Sequence, residues 1–208
     1  MAIPDISDIN TVPKLFWHNV ENYRDDITMW RKQRGVWESH TWGDYGNWSR
    51  DIGHALIAEG LKPGDKISIL SETRMEWVVL DMAIMGIGCI TAPVYPSNTE
   101  EQVKYIVKHS ESKVVFAEDQ EQLDKLLVIW KDLPMLKKIV VIDKYYPRNL
   151  PNVISLDGYR DLGQSHRGEN TGKFEERLKL VKPNDIISFT YTSGTTGNPK
   201  AGMFNSKN

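Results

Sequence analysis

Hydroxyl side chains, two glycines and a lysine crowd together in Tyr191-Thr192-Ser193-Gly194-Thr195-Thr196-Gly197-Asn198-Pro199-Lys200, directly after the apolar run 186–189. This set of groups suits a multiply charged anion. Gly194 and Gly197 permit positive φ and close backbone approach, so successive N–H groups can point at one anion. Thr192, Ser193, Thr195 and Thr196 add hydroxyl donors, and Lys200 brings a mobile positive charge. Pro199 stiffens the exit and lowers the entropy lost when the loop orders around a ligand. Ile186, Ile187 and Phe189 are strand formers. The segment therefore reads as a phosphate-holding loop hung from the end of a buried strand. A Ser/Thr/Gly linker is the plain alternative, but a linker rarely stands between a hydrophobic strand and a Pro-Lys pair.

The spacing sets this loop apart from other motifs. Asn198 and Pro199 separate Gly197 from Lys200, and Ala201 stands where a Walker A loop needs Ser or Thr. No G-x-G-x-x-G is present, and Tyr191 occupies the first Gly position of a G-x-S-x-G elbow. Residues 191–200 resemble the signature loop of the adenylate-forming superfamily: acyl-CoA synthetases, luciferases and adenylation domains. The match is unbroken from Tyr191 to Lys200. Beyond it the usual Gly is Ala201 and a His common six residues after the Lys is Ser206, while Met203 and Asn208 still fit. Leu61-Lys-Pro-Gly-Asp-Lys-Ile-Ser-Ile-Leu70, Glu76-Trp77, Gly86-Ile-Gly-Cys-Ile-Thr-Ala-Pro-Val-Tyr-Pro96 and Ser110-Glu-Ser-Lys-Val-Val-Phe-Ala117 look like further blocks of acyl-CoA synthetases. Thr11-Val-Pro-Lys-Leu-Phe16, Thr41-Trp-Gly-Asp-Tyr45 and Tyr95-Pro-Ser-Asn-Thr99 are most similar to long-chain fatty-acid:CoA ligases.

The resemblance implies a loop that closes over the β- and γ-phosphates of ATP while a fatty-acid carboxylate attacks the α-phosphorus, giving an acyl-adenylate and pyrophosphate. CoA, as co-substrate, then displaces AMP to give the thioester. By resemblance Thr192, Ser193, Gly194, Thr196, Gly197 and Lys200 hold the triphosphate, Thr195 reaches Mg2+, and Lys200 and Thr195 are the catalytic pair. A carboxylate already ionised at neutral pH needs no general base. The family's adenine pocket, second magnesium carboxylate, ribose Asp, hinge and C-terminal domain are not among these residues. The expectation is a front piece of a longer ligase, inactive alone. A catalytically silent nucleotide-binding or interaction module stays open, as does activation of aryl, medium-chain or amino acids. Chain length of the acyl group is not readable.

The 208 residues carry a formal net charge of −2 with 26 Lys and Arg against 28 Asp and Glu, which leaves no nucleic-acid footprint. One cysteine, Cys89, excludes an internal disulfide framework and a multi-Cys metal site. The start lacks a signal-peptide pattern and no apolar stretch approaches a membrane span. A cytoplasmic setting is expected, with peripheral membrane contact left open.

The elements that must position the loop follow from periodicity and punctuation. Thr11 caps a helix with Val12, Leu15, Phe16, Val20 and Tyr23 on one face and Trp17 beside it. Residues 27–32 and 36–41 form a hairpin whose Trp30 and Trp37, with Trp42, read as core. Thr41 caps a second helix that stops at Gly60; His18, His40 and His54 lack ligand partners at metal spacing. From Lys62-Pro63-Gly64-Asp65 onward, strands at 66–70, 89–94, 113–117, 139–142 and 153–156 alternate with helices, including an apolar one over 74–85 and one capped by Thr99 and Gln102. Met75, Met82 and Met85 read as core filler. Between 157 and 182 the chain is polar, and 163–172 reads as exposed and mobile, with His166 outside any catalytic context. The predicted fold class is α/β, a mostly parallel sheet with flanking helices. Residues 1–61 would be N-terminal helices and a Trp-rich hairpin. Residues 62–208 would be an incomplete α/β AMP-binding subdomain, by resemblance the front part of the large N-terminal domain of an adenylate-forming enzyme.

Overall fold

Short caps and turns set where each element starts in the computed structural model, which describes residues 9–143, 150–192 and 199–207. Thr11 accepts the Lys14 amide and opens α1 (Val12–Asn22), with Pro13 in the first turn. A hairpin of β1 (Ile27–Gln33) and β2 (Val36–Thr41) follows. Thr41 and Asp44 then satisfy each other's amides in a capping box that starts α2 (Trp42–Ala58). Next come β3 (Lys66–Leu70), α3 (Met75–Gly86), β4 (Ile90–Val94) and α4 (Glu100–His109), the last capped reciprocally by Thr99 and Gln102. The chain continues through β5 (Val114–Ala117), α5 (Gln120–Ile129), β6 (Lys138–Val141), β7 (Val153–Ser155), α6 (Leu156–Glu169), α7 (Lys173–Leu180), β8 (Ile186–Thr192) and β9 (Lys200–Asn205).

Seven strands form one sheet in the order β7-β6-β5-β3-β4-β8-β9. All pairs are parallel except β8 with β9. The strand alternation sorts the core into two layers, as period-two side-chain geometry requires. Ile67, Ile69, Val114, Phe116 and Val140 pack with α1, α2, α3, α6 and α7 on one face. Leu70, Val115, Ala117, Ile139 and Val141 pack with α4 and α5 on the other. The expected α/β class and mostly parallel sheet are thus observed.

Three local expectations differ from the structure. The polar segment after Asp157 is the helical pair α6 and α7, and most of the run 163–172, expected to be exposed and mobile, is the second half of α6. Its buried positions on α6 are Leu156, Tyr159 and Gly163, so one point of the apolar stripe is a glycine and the helical period is hidden. On α1 the buried residues are Pro13, Phe16, Trp17 and Val20, while Val12, Leu15 and Tyr23 are exposed. The helix is rolled toward Trp17 because that ring meets Phe174 edge-on at 4.8 Å and carries the Arg50 guanidinium over its face at 4.5 Å. Finally, Trp30 and Trp37 are each 60% exposed rather than core, whereas Trp42 stacks on Tyr45. The register places Trp30 opposite Ser39 and Trp37 opposite Lys32 on the outer face, and leaves Met29, Arg31 and His40 toward the body.

The return from β7 to β8 depends on close packing of α6 and α7 over α2 and α3. A Cβ on Gly163 would run into the Asp51 backbone carbonyl, so the two helices touch through main chain. The buried Asp51 carboxylate accepts from Gln164 at 3.0 Å and Arg167 at 3.2 Å, both on α6, and pairs with Arg160 at 3.6 Å. Phe174, fully buried, lies where side chains on Gly53 and Gly86 would stand. Arg177 donates to the Ile87 and Leu61 carbonyls at 2.8 and 3.1 Å, tying α7 to the ends of α2 and α3. His54 and His166, each without a visible partner in the sequence, meet Nδ1 to Nδ1 at 3.0 Å in this interface. One ring must donate and the other accept, which requires a neutral acceptor. Burial, then the charge of His166, pushes His54 down to about 4.

Two predictions follow from this packing. Gly163→Ala is expected to lower stability by about 1–3 kcal/mol through overpacking. Gly168→Ala, one turn on with open space around it, is expected to be neutral or stabilising by about 0.4–1 kcal/mol; urea unfolding midpoints of both variants check this. For pH, His54 holds its proton less tightly folded than unfolded, so its contribution is present above the ordinary value of 6.5 and is lost as pH falls toward about 4. Asp81 has the opposite sign: burial pushes it up to about 6 even though Thr91 donates to it at 2.6 Å. Its contribution is present at low pH and is lost as pH rises through about 6. The stability difference between the native chain and His54→Gln should therefore shrink on acidification across that window, and Asp81→Asn should gain most at neutral pH. Paired unfolding curves measure both differences.

Candidate functional site

The turn that launches β8 repeats the one that launches β3. In Lys62-Pro63-Gly64-Asp65 the Asp65 carboxylate accepts the Lys62 amide at 2.8 Å, and in Lys182-Pro183-Asn184-Asp185 the Asp185 carboxylate accepts the Lys182 amide at 2.8 Å. In both, the Asp amide returns to the Lys carbonyl at 3.0 Å. So started, β8 runs parallel to β4, with Thr91 beside Ser188, and then pairs antiparallel with β9 from Ile186↔Asn205 up to Thr192↔Lys200. Thr192 and Lys200 thus face each other across the mouth of the predicted phosphate loop. Ser193, Gly194, Thr195, Thr196 and Gly197 lie outside the described residues, so of the predicted site residues the structure places Thr192 and Lys200, and brings those two together.

The strand bearing the loop is less buried than its apolar start suggests. Ile187 and Tyr191 are buried, but Thr190 and Thr192 are exposed, as are Met203 and Phe204 on β9. β9 is the edge strand, and β8 is paired to β4 at a single register position, Thr91↔Ser188, so both strands are thinly covered. Ser206, at the position where the resemblance expects His, is buried; its hydroxyl accepts the Val12 amide at 2.8 Å and so fixes the strand exit to the start of α1.

Tyr191 anchors the loop's entry. Its hydroxyl and His109 Nδ1 are 3.0 Å apart, its ring meets that imidazole edge-on, and burial pushes its pKa up to about 12, so it stays a neutral phenol. His109, stacked on Tyr105 at 5.4 Å, was not legible as a site neighbour: only the four-residue spacing from Tyr105 hinted at a shared helix face. Pro199 anchors the exit, lining with Tyr95, Asn98, Gln102, Ile106 and Tyr191 a cleft of about 190 Å³ between the loop and α4.

Placement and charge agree with anion binding. The helix after β3 covers one sheet face and the helix after β4 the other, so a crevice opens at the carboxyl ends of these strands, where ligands of such sheets collect. Thr192 lies at that same end, one strand over. Beyond the carboxyl end of β3, two strands from β8, Arg74 is committed to carboxylates: Glu76 at 2.8 Å, Asp143 at 2.9 Å and Glu118 at 3.4 Å. Lys200 is exposed and has no carboxylate partner among the described residues. Hydroxyls and an ammonium suit phosphate oxygens. Among the described residues no group of His, Cys, Asp or Glu converges as a metal site. The donor set fits a magnesium that stays hydrated and is carried on phosphates rather than one caged by protein. Cys89 is no nucleophile: buried, with its pKa pushed up to about 12 by desolvation, it donates to the Lys62 carbonyl at 3.3 Å. No described helix is long and apolar enough to cross a membrane.

Comparison with known proteins agrees with this geometry. The family model of the AMP-binding enzyme matches residues 16–208. The long-chain-fatty-acid–CoA ligase ACSBG1 of Homo sapiens is 29% identical over 198 residues, covering 95% of this chain and 27% of that protein. A long-chain-fatty-acid–CoA ligase of Mycobacterium tuberculosis is 32% identical over 191 residues, covering 90% of this chain and 30% of that protein. The chain therefore spans less than a third of these relatives' length. Among solved structures, the anthranilate CoA ligase AuaEII in complex with anthranoyl-AMP superposes with a TM-score of 0.76 at 22% identity, over 95% of this chain and 35% of that one. The luciferase-like enzyme from the nonluminescent Zophobas morio mealworm gives 0.77 at 16% identity, over 99% and 45%. These likenesses show a shared fold. With residues 16–208 of the chain matched by the family model and the phosphate-loop strands paired as described, the chain belongs to the AMP-binding enzyme family.

Proposed function

We propose that this chain carries the triphosphate-holding part of a ligase that activates a long-chain fatty acid with ATP and passes it to CoA. The observation that carries the reading is the pairing of Thr192 with Lys200 across the loop mouth, at the carboxyl end of β8. The kinship of the chain with long-chain-fatty-acid–CoA ligases supports the choice of acid. Thr192, Ser193, Gly194, Thr196, Gly197 and Lys200 hold the phosphates, and Thr195 contributes a hydroxyl toward magnesium. Magnesium, when bound, offsets phosphate charge.

In the first step a carboxylate oxygen forms a bond to the α-phosphorus and the bond to pyrophosphate breaks, the electron pair leaving with pyrophosphate. In the second, the CoA sulfur forms a bond to the acyl carbon, AMP leaves with the electrons of the broken C–O bond, and the thiol proton passes to solvent. The loop's part is positioning and charge stabilisation. The buried, unpaired Cys89 fits a reducing setting, and we place the protein in the cytoplasm.

Removing the Lys200 charge is expected to weaken ATP binding by roughly tenfold to hundredfold, as loss of one charge-assisted contact does. Calorimetric titration of Mg-ATP into the native chain and Lys200→Ala measures it. Equal affinities would contradict the assigned role. Fatty-acid-driven pyrophosphate exchange is expected to be absent from the 208-residue chain alone, and sustained exchange would show that these residues suffice.

A further inference from the structure

The β1–β2 hairpin carries two large aromatic side chains that the fold does not use. Of seven tryptophans, Trp30 and Trp37 are the two exposed ones; the others are buried or half-buried. The register puts both on one face: Trp30 faces Ser39, and Trp37 faces Lys32, whose ammonium lies 5.7 Å from the Trp37 ring centre. Arg34 and Gly35, both at positive φ, form the two-residue tip, where Arg34 is exposed.

The opposite face is occupied toward its base, while Gln33, Val36 and Glu38 on it are exposed. Arg31 donates to Glu76 at 3.0 Å, Met29 packs against the core, and His40 meets Trp48 edge-on. The one acidic residue of the hairpin, Glu38, pairs in register with Arg31 on that inner side. At the base, the Trp42 amide donates to the Asp26 carbonyl at 3.0 Å and the Gly43 amide to the Arg24 carbonyl at 2.8 Å. The hairpin is therefore tied to the body at its base and through Arg31. Its outer face is cationic, in a chain whose net charge is negative.

We propose that this outer face is a lipid-docking surface, in which Trp30 and Trp37 enter the headgroup layer of an anionic bilayer and Lys32 and Arg34 meet its phosphates. Tryptophan prefers the membrane–water interface because its ring is apolar and its N–H polar, and neighbouring Lys or Arg adds attraction to anionic lipid. The charge of Lys32 and Arg34 is complementary to anionic headgroups, which selects a bilayer as the occupant; a second copy of the chain is separated from it by the test. The hairpin is fixed through Glu76 to the first turn of α3, at the carboxyl end of β3, the end of the sheet where the phosphate loop hangs. Docking would thus bring that end toward the membrane.

The test needs no nucleotide or acid, so its outcome is independent of the ligase reading. The 208-residue chain is sedimented with vesicles of phosphatidylcholine alone and of phosphatidylcholine mixed equally with phosphatidylserine, and tryptophan emission is followed with brominated lipid. Binding to the anionic vesicles with blue-shifted, bromine-quenched emission is expected. Trp30→Ala with Trp37→Ala should weaken it on the order of tenfold or more. Lys32→Gln with Arg34→Gln, which removes both charges and keeps Trp30 and Trp37, should weaken it roughly thirtyfold, about fivefold per cation. All four side chains are on the surface, and unchanged near-ultraviolet dichroism verifies folding. Absence of vesicle binding, binding indifferent to both double variants, or a hairpin-dependent dimer of the protein in solution would each overturn the proposal, the last by naming a second copy as the occupant.

Discussion

The constraint on which this molecule depends is the return of the chain from one edge of its sheet to the other. After β7 the backbone must cross the whole α1–α3 face before β8 can lie beside β4. Polar helices such as α6 and α7 bring little apolar surface to this crossing. Contact is instead made at Gly163, where α6 meets the α2 backbone directly, and at Phe174, which fills the space left by Gly53 and Gly86. Arg177 then satisfies the carbonyls that α2 and α3 leave unpaired at their ends. Without this close approach β8 would have no fixed register against the parallel strands, and the loop at its end no fixed address.

Once β8 is in place, local chemistry does the rest. Tyr191 locks the entry to α4 through His109, and Pro199 sets the exit beside the same helix. The lysine of the loop is left exposed while Arg74, beyond the carboxyl end of β3 two strands away, is held by three carboxylates. A positive charge is thus kept available beside the hydroxyls of the loop, and a competing one is neutralised. Backbone pairing between Thr192 and Lys200 restrains both ends of the loop, which reduces the conformational freedom to be lost when an anion is bound.

Much of this was legible in the sequence because it is encoded locally. Thr41, Thr99 and the Lys62-Pro63-Gly64-Asp65 turn declare themselves by residue type and spacing, and the continuous apolar runs at β3, β5 and β6 identify strands buried on both faces. The signature loop was read from residue identity alone. What stayed hidden depends on tertiary partners. Gly158, Gly163, Gly168 and Gly172 look like loop punctuation, yet the first three lie within a helix and Gly163 is there because the neighbouring backbone leaves no room for a side chain. Trp17 belongs to the core only because Phe174 arrives from far along the chain. Trp30 and Trp37 carry the composition of a core but the register of a surface. The joining of His54 to His166 is set by the α2–α6 crossing and leaves no trace in spacing.

The central claim is that residues 191–200 form the seat of a nucleotide's terminal phosphates. It is tested most directly by following the amide resonances of the isotopically labelled chain as Mg-ATP is added. The account predicts that the largest shifts fall on Thr192, Lys200, Ala201 and the residues between them, with the α2–α6 interface unmoved. Saturable binding with its shifts centred elsewhere, and none at the β8–β9 mouth, would contradict it.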